Sequence, residues 1–203
     1  MEEVLVFGTG GQARVVIEEI ECTGKYRVAG LVDDNREVGY ELFGYKVLGG
    51  IADLPKIGVG QGIIGIGDNW SRWQVAAKVA AIRPDFRYIT LISPLSKINK
   101  RKIEIGEGTY ISNFVIVDCC IEIGKHCIID AHTIVGHDSR VGDFVNIHPK
   151  VAVCGDVRIG ECTTIAVGAD IVQGVTVGEH TVIGAGAAVV KDIPAYSVAV
   201  GLP

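Results

Sequence analysis

The stretch from Ile103 to Asp192 reads IEIGEG TYISNF VIVDCC IEIGKH CIIDAH TIVGHD SRVGDF VNIHPK VAVCGD VRIGEC TTIAVG ADIVQG VTVGEH TVIGAG AAVVKD: fifteen blocks of six, with Ile or Val third in each. The series Ile105, Ile111, Val117, Ile123 and onward to Val189 runs without insertion or deletion. A six-residue period suits neither an α-helix nor a hairpin with its turns. It suits a solenoid in which each block is one flat face and three faces close a triangular coil. The branched residue points inward, where stiff side chains stack on their equivalents in the next coil. The following position is mostly small or turn-forming (Gly106, Ser112, Asp118, Gly124, Gly136, Gly142, Gly160, Gly178 and Gly184). There the chain is expected to turn its corner, with glycine supplying φ > 0.

This is the repeat of left-handed parallel β-helices, with eighteen residues to a coil. About 100 residues remain upstream, enough for a small core of their own, so residues 1–95 and 96–203 are read as two domains. A net charge of -5 and a pI near 5.5 argue against a nucleic-acid or anionic-membrane partner. Lys97, Lys100, Arg101 and Lys102 form the one basic cluster, where the halves meet; it is read as a solvated linker, with a phosphate site as the other reading. No apolar run is long enough to span a bilayer, and the acidic start Met1-Glu2-Glu3 is unlike a signal peptide. Cys22, Cys119, Cys120, Cys127, Cys154 and Cys162 show no metal-type spacing or disulfide framework, which fits a reducing cytoplasm. Cys127 and Cys162 fall near inward positions of the solenoid.

In the first domain, Val4-Leu5-Val6-Phe7 reads as a buried strand. It runs into Gly8-Thr9-Gly10-Gly11-Gln12-Ala13 and then a helical stripe of Val15, Val16, Ile17 and Ile20. A second strand, Val28–Val32, ends on Asp33-Asp34-Asn35; a third, Gly62–Ile66, ends on Gly67-Asp68-Asn69, before a helical segment with Arg72. This is an α/β, Rossmann-like pattern whose strand ends bring Gly10, Gly11, Asp33, Asp34, Gly67, Asp68 and Asn69 to one ligand-binding rim. The glycine pattern is incomplete, and the domain is too short for the two halves that a dinucleotide needs. A mononucleotide or a nucleotide-linked sugar fits better, its anion near the helix start.

Of the five histidines, His126, His132, His137, His148 and His180, only His137 has an acidic neighbour directly after it. The block ends Gly136-His137-Asp138, placing the imidazole at a corner, facing out, with Asp138 to hold one tautomer. Eighteen residues on is Gly155, about 4.8 Å away at normal strand spacing. A base beside an open backbone N–H is what acyl transfer requires.

Together these segments resemble the sugar acetyltransferases that join a small Rossmann-like domain to a left-handed β-helix. These are the sialic-acid O-acetyltransferase type and the N-acetyltransferases of nucleotide-linked 4-amino-4,6-dideoxy sugars. The resemblance rests on Val6 to Ala13, Leu31 to Asn35, Gly44 to Gly49, and Ile66 to Asn69 with Arg72. In the solenoid it rests on Val135 to Asp138, Val141 to Ile147, Cys154-Gly155 and Ile183 to Pro194. It implies acetyl-CoA as co-substrate with no bound cofactor or metal, a nucleotide sugar held between the domains, and a homotrimer with acetyl-CoA in the groove between neighbouring solenoids. It makes His137 and Asp138 catalytic, adds Asp130 to the substrate-binding set, and gives Asn146 and Gly155 to acetyl-CoA. Some relatives carry Glu where this chain has Gly136, and a second His where it has Asn146, which cannot act as a base. Pro203 ends a Gly-x-Pro sequence that relatives continue with a basic segment, so adenine-end contacts with CoA are expected to be absent.

Other readings stay open at this point. One is O-acetylation of a sialic-acid-type sugar; another is a non-catalytic scaffold. His132 and His137 also have the spacing found in γ-class carbonic anhydrases. There a third zinc ligand would fall at Ser96, which this reading leaves outside the solenoid.

Overall fold

The computed structural model describes residues 1–202; Pro203, and with it the expectation about adenine-end contacts, lies outside the described residues. The chain divides into two compact units, the first Met1–Leu91 and the second from Ile92 onward.

In the first unit, β1 (Glu2–Phe7) leads through a glycine turn into α1 (Gly11–Thr23) and back to β2 (Tyr26–Val32). A short hairpin follows, β3 (Glu41–Leu42) with β4 (Tyr45–Gly49), then β5 (Gln61–Ile64), α2 (Asn69–Ile82) and β6 (Arg87–Tyr88). The sheet order is β3-β4-β2-β1-β5-β6, parallel except for the β3–β4 pair. β1 lies at the centre because Val4, Leu5, Val6 and Phe7 are buried on both faces. α1 turns Ala13, Val16, Ile17 and Ile20 to the sheet, whereas Val15 is exposed. Gly65 is required by this packing: a Cβ there would stand 2.8 Å from Ala13 Cα.

The second unit is a left-handed parallel β-helix of three sheets with seven, six and five strands. From Ile103 to Val189 each strand pairs in parallel with the one eighteen residues on, as Ile129 with Ile147 or Val135 with Val153; the first coil steps nineteen and the last sixteen. From Ile111 to Val189 the inward Ile and Val series is buried throughout, and Ile105 is half-buried. Burying each such side chain contributes roughly 1.5–3 kcal/mol. Thr109, Ser139 and Thr163 are buried just before the strands and satisfy two backbone groups apiece. The Thr163 hydroxyl donates to Gly178 O at 2.8 Å and accepts from Thr181 N at 3.2 Å.

Four expectations change. The glycines after the anchor do not take φ > 0; that falls two residues later, at Phe114, Cys120, His126, His132, Asp138, Phe144, Lys150, Asp156 and Cys162. Gly106, Gly124, Gly142, Gly160 and Gly178 line one corner, where a Cβ would collide with the next coil's backbone. They are selected by space, not by dihedral angle. Next, the solenoid starts before Ile103: Lys97–Ile98 pairs with Ile116–Val117, so the basic cluster is a coil and not a linker. Ser96 therefore lies inside the solenoid, its hydroxyl on Ser112 O at 2.5 Å. Lastly, Cys127 is buried as expected, but Cys162 is a half-exposed corner residue.

Candidate functional site

The strand ends of the first unit enclose a cavity of about 460 Å³. Its walls are Gly8 to Gln12 after β1, Asp33 to Asn35 after β2, Gly65 to Gly67 after β5, and Ser71, Gln74 and Lys78 on α2. Gly8 sits at φ +100 against Gly65 O and Ile66, a conformation that only glycine adopts readily. Gly10 and Gly11 have open space where a Cβ would stand, so the α1 N-terminus is bare toward a ligand. Asp33 accepts the Thr9 hydroxyl at 2.7 Å and Asn35 N at 2.8 Å. Asp34 accepts Ile51 N at 2.8 Å and pairs with Lys78 at 3.4 Å. Both carboxylates thus brace the rim, and Lys78 brings a cation to it.

In the second unit, His137 stands half-exposed at a corner, Nδ1 2.8 Å from Asp138 Oδ2. Asp138 reaches back because its backbone is left-handed, φ 60. Its carboxylate accepts the hydrogen bond of Nδ1–H, which in the neutral ring leaves the lone pair on Nε2. That hydrogen bond raises the imidazole pKa above its ordinary value; partial desolvation opposes it, and the charges of Asp138, Asp118 and Asp156 add to it. Nε2 lies against Gly155: a Cβ there would be 2.6 Å away. The Gly155 N–H has no acceptor among the described residues. The imidazole Nε2 and an open N–H donor therefore stand side by side.

Comparison with known proteins bears on the chain as a whole. The PglD N-terminal domain family matches residues 3–79. Among solved structures, PerB from Caulobacter crescentus, in complex with CoA and GDP-perosamine, is 32% identical, with a TM-score of 0.91 over 100% of this chain and 96% of that one. The chain belongs to the family of nucleotide-sugar acetyltransferases. The acetyltransferase domain of PglB from Neisseria gonorrhoeae, in complex with acetyl coenzyme A, is 28% identical, with a TM-score of 0.84 and coverage of 95% and 93%. WeeI from Acinetobacter baumannii is 25% identical, also at 0.84, with coverage of 99% and 98%. Among curated protein sequences nothing matches.

Within this acetyltransferase, Gly10, Gly11, Asp33, Asp34 and Gly67 come together around the cavity, as read from the sequence. Asp68 and Asn69 do not line it. Asp68 caps α2, accepting Ser71 N at 2.8 Å, and its carboxyl is held below its ordinary value mainly by the Ser71 hydrogen bonds. His137, Asp138 and Gly155 share one corner, whereas Asn146 is buried in a strand of another face, between Ile128 and Thr164. Asp130 is at the end of that face, paired with His148 Nδ1 at 3.2 Å. The sequence reading missed that pair; its signal is the eighteen-residue gap. Ser71, Gln74 and Lys78 were missed too, although their three- and four-residue spacing marks one helix face. His126, His132 and His180 stack on Phe144, Phe114 and Tyr196. Among the described residues no three His, Cys, Asp or Glu side chains gather to hold a metal.

Proposed function

We propose that His137 is the general base of a direct acetyl transfer from acetyl-CoA to the 4-amino group of a nucleoside-diphosphate-linked 4-amino-4,6-dideoxy sugar. The chain is an acetyl-CoA-dependent sugar N-acetyltransferase, and the observation that carries the mechanism is the His137 Nε2 lone pair beside the open Gly155 N–H. The amine nitrogen attacks the thioester carbonyl, and its proton passes to Nε2. The oxyanion that forms accepts the Gly155 N–H. The C–S bond then breaks, and the imidazolium returns the proton to the departing CoA sulfur. One base suffices and no acyl-enzyme forms, so Asn146 needs no base role; hydrogen bonding to acetyl-CoA suits it, as it suits Asp130 with the sugar. The nucleotide sits in the first unit's cavity, its phosphates near Gly10 and Gly11.

PerB's complex with GDP-perosamine makes that sugar nucleotide the first substrate to test. GDP-, UDP- and dTDP-linked 4-amino sugars, with 4-hydroxy counterparts as controls, would be offered with acetyl-CoA and a thiol reagent. Thiol release with amines alone is expected; release with hydroxyls alone would make this an O-acetyltransferase. Gly11→Val, whose side chain fills open space and so spares the fold, is expected to raise KM for the sugar nucleotide and leave KM for acetyl-CoA nearly unchanged. Equal damage to both constants would assign the wrong substrate to this cavity.

The working assembly is a homotrimer. Ile116 and Ile134 are outward residues of one solenoid face, 39% and 45% exposed, and Val172 and Val190 are exposed at the corner beyond. Such an apolar surface suits burial against a neighbouring solenoid. Light scattering that finds a stable monomer at micromolar concentration would count against it. Six cysteines without a disulfide support a cytoplasmic setting, and no helix among the described residues is long and apolar enough to cross a membrane.

A further inference from the structure

Arg72 is 1% exposed and among the largest fully buried side chains of the chain. It lies on the face of α2 turned to the core, while Ser71, Gln74 and Lys78 of the same helix face the cavity. Its Nη1 donates to two successive backbone carbonyls, Ile66 O at 2.9 Å and Gly67 O at 3.0 Å. Ile66 and Gly67 are themselves cavity wall, in the turn between β5 and α2. Removing a guanidinium from water is costly unless its hydrogen bonds are replaced, so this contact holds the turn in one conformation.

We infer that Arg72 is a positioning residue that shapes the nucleotide site, turning the Ile66 and Gly67 carbonyls out of the cavity; this rests on the cavity's being that site. Both carbonyls carry partial negative charge, and a nucleoside diphosphate presents an anion to this wall. Drawn toward the guanidinium, the oxygens do not face that anion. In a trans peptide each N–H points opposite its carbonyl, so the same pull turns the N–H edges of Gly67 and Asp68 away from Arg72. The buried cation also adds an attractive field behind the wall, in a medium that screens it less than water does.

A matched control lies on the same helix's far end. Arg83 also clasps carbonyls, those of Ile57 at 3.1 Å and Val59 at 2.6 Å, but neither residue lines the cavity. Both arginines tie a loop to α2, and only one of those loops is ligand wall. A purely structural role would make their loss equivalent.

Calorimetric titration of the full chain with GDP, UDP and dTDP would first identify the nucleotide that the unaltered protein binds most tightly. Arg72→Met is expected to weaken that binding by about tenfold or more, the effect of losing charge-assisted bonds that hold a ligand wall. Arg83→Met should stay within about twofold while losing comparable thermal stability. In kinetics, Arg72→Met should raise KM for the sugar nucleotide and leave KM for acetyl-CoA unchanged. Should that variant fail to fold, Arg72→Lys carries the test: an ammonium retains the charge but not the planar fork, and intermediate affinity is expected. Equal weakening by Arg72→Met and Arg83→Met, or unaltered affinity in Arg72→Lys where Arg72→Met does not fold, would overturn the assignment. If the unaltered protein binds none of the three nucleotides, the site reading fails, and the role of Arg72 with it.

Discussion

Replacing His137 by Ala is expected to lower kcat by about 10²–10⁴-fold, the usual contribution of a positioned base. Both KM values should change little, because the half-exposed ring is not core and, on the proposed reading, the sugar nucleotide binds through the first unit's cavity. The fold should survive for the same reason. Stopped-time assays with a thiol reagent, beside circular dichroism, would measure this directly. An Ala variant with near-normal kcat would remove His137 from the chemistry. A trapped acetyl group on any of the six cysteines, or ping-pong kinetics, would replace direct transfer by an acyl-enzyme route.

The pH dependence has a definite sign. The imidazole works as a base only when neutral, and the Asp138 hydrogen bond raises its pKa, with Asp118 and Asp156 adding in the same direction. The acid limb of kcat should therefore lie above the ordinary histidine value of about 6.5, and activity should fall as pH drops through it. Asp138→Asn removes the chief cause of the shift, so the limb should move to lower pH. Its kcat should fall less than in His137→Ala, since the imidazole remains and only its orientation is less well fixed. A limb that stays in place would mean that Asp138 does not set the titration.

The coil, and the neighbours it makes of His137 and Gly155, were legible in the sequence because their signals are local and periodic. An Ile or Val every six residues fixes the coil, and the coil fixes which residue eighteen positions on is a neighbour. That arithmetic makes Gly155 the neighbour of His137. The same arithmetic would have paired Asp130 with His148, had it been applied to that corner. What stayed hidden depends on geometry that no spacing reports. Asp68 looked like a rim carboxylate, but a residue at a helix start commonly turns its side chain to the helix N–H groups. The burial of Arg72 was not read from the sequence, because a guanidinium set against carbonyls leaves no mark on hydrophobic periodicity. The first coil escaped notice since the step from Ile98 to Ile105 is one residue longer than the rest. Strand pairing tolerates that extra residue at a corner.

The corner glycines offer the sharpest contrast between what pattern suggests and what space dictates. Glycine after each anchor reads as a left-handed turn, and for such a turn Ala would cost on the order of 1 kcal/mol. At Gly142 the obstacle differs: a Cβ would stand 2.7 Å from Glu161 N and 3.0 Å from Glu161 Cα. Those atoms belong to the next coil's backbone, which the Gly142 N–H holds through Ile159 O at 2.8 Å. The coil cannot step aside without breaking its ladder, so Gly142→Ala is expected to cost about 3 kcal/mol, the upper end for overpacking. For a chain of this size that lowers Tm by roughly 6–12 °C. Gly186→Ala is the counterpart, with open space around the added atom but φ +66, and it should cost about 1 kcal/mol. Thermal melts of the two variants decide between the readings. Equal losses would return the corner glycines to a dihedral role, while the threefold gap would establish that the coils stack closely enough to exclude a methyl group.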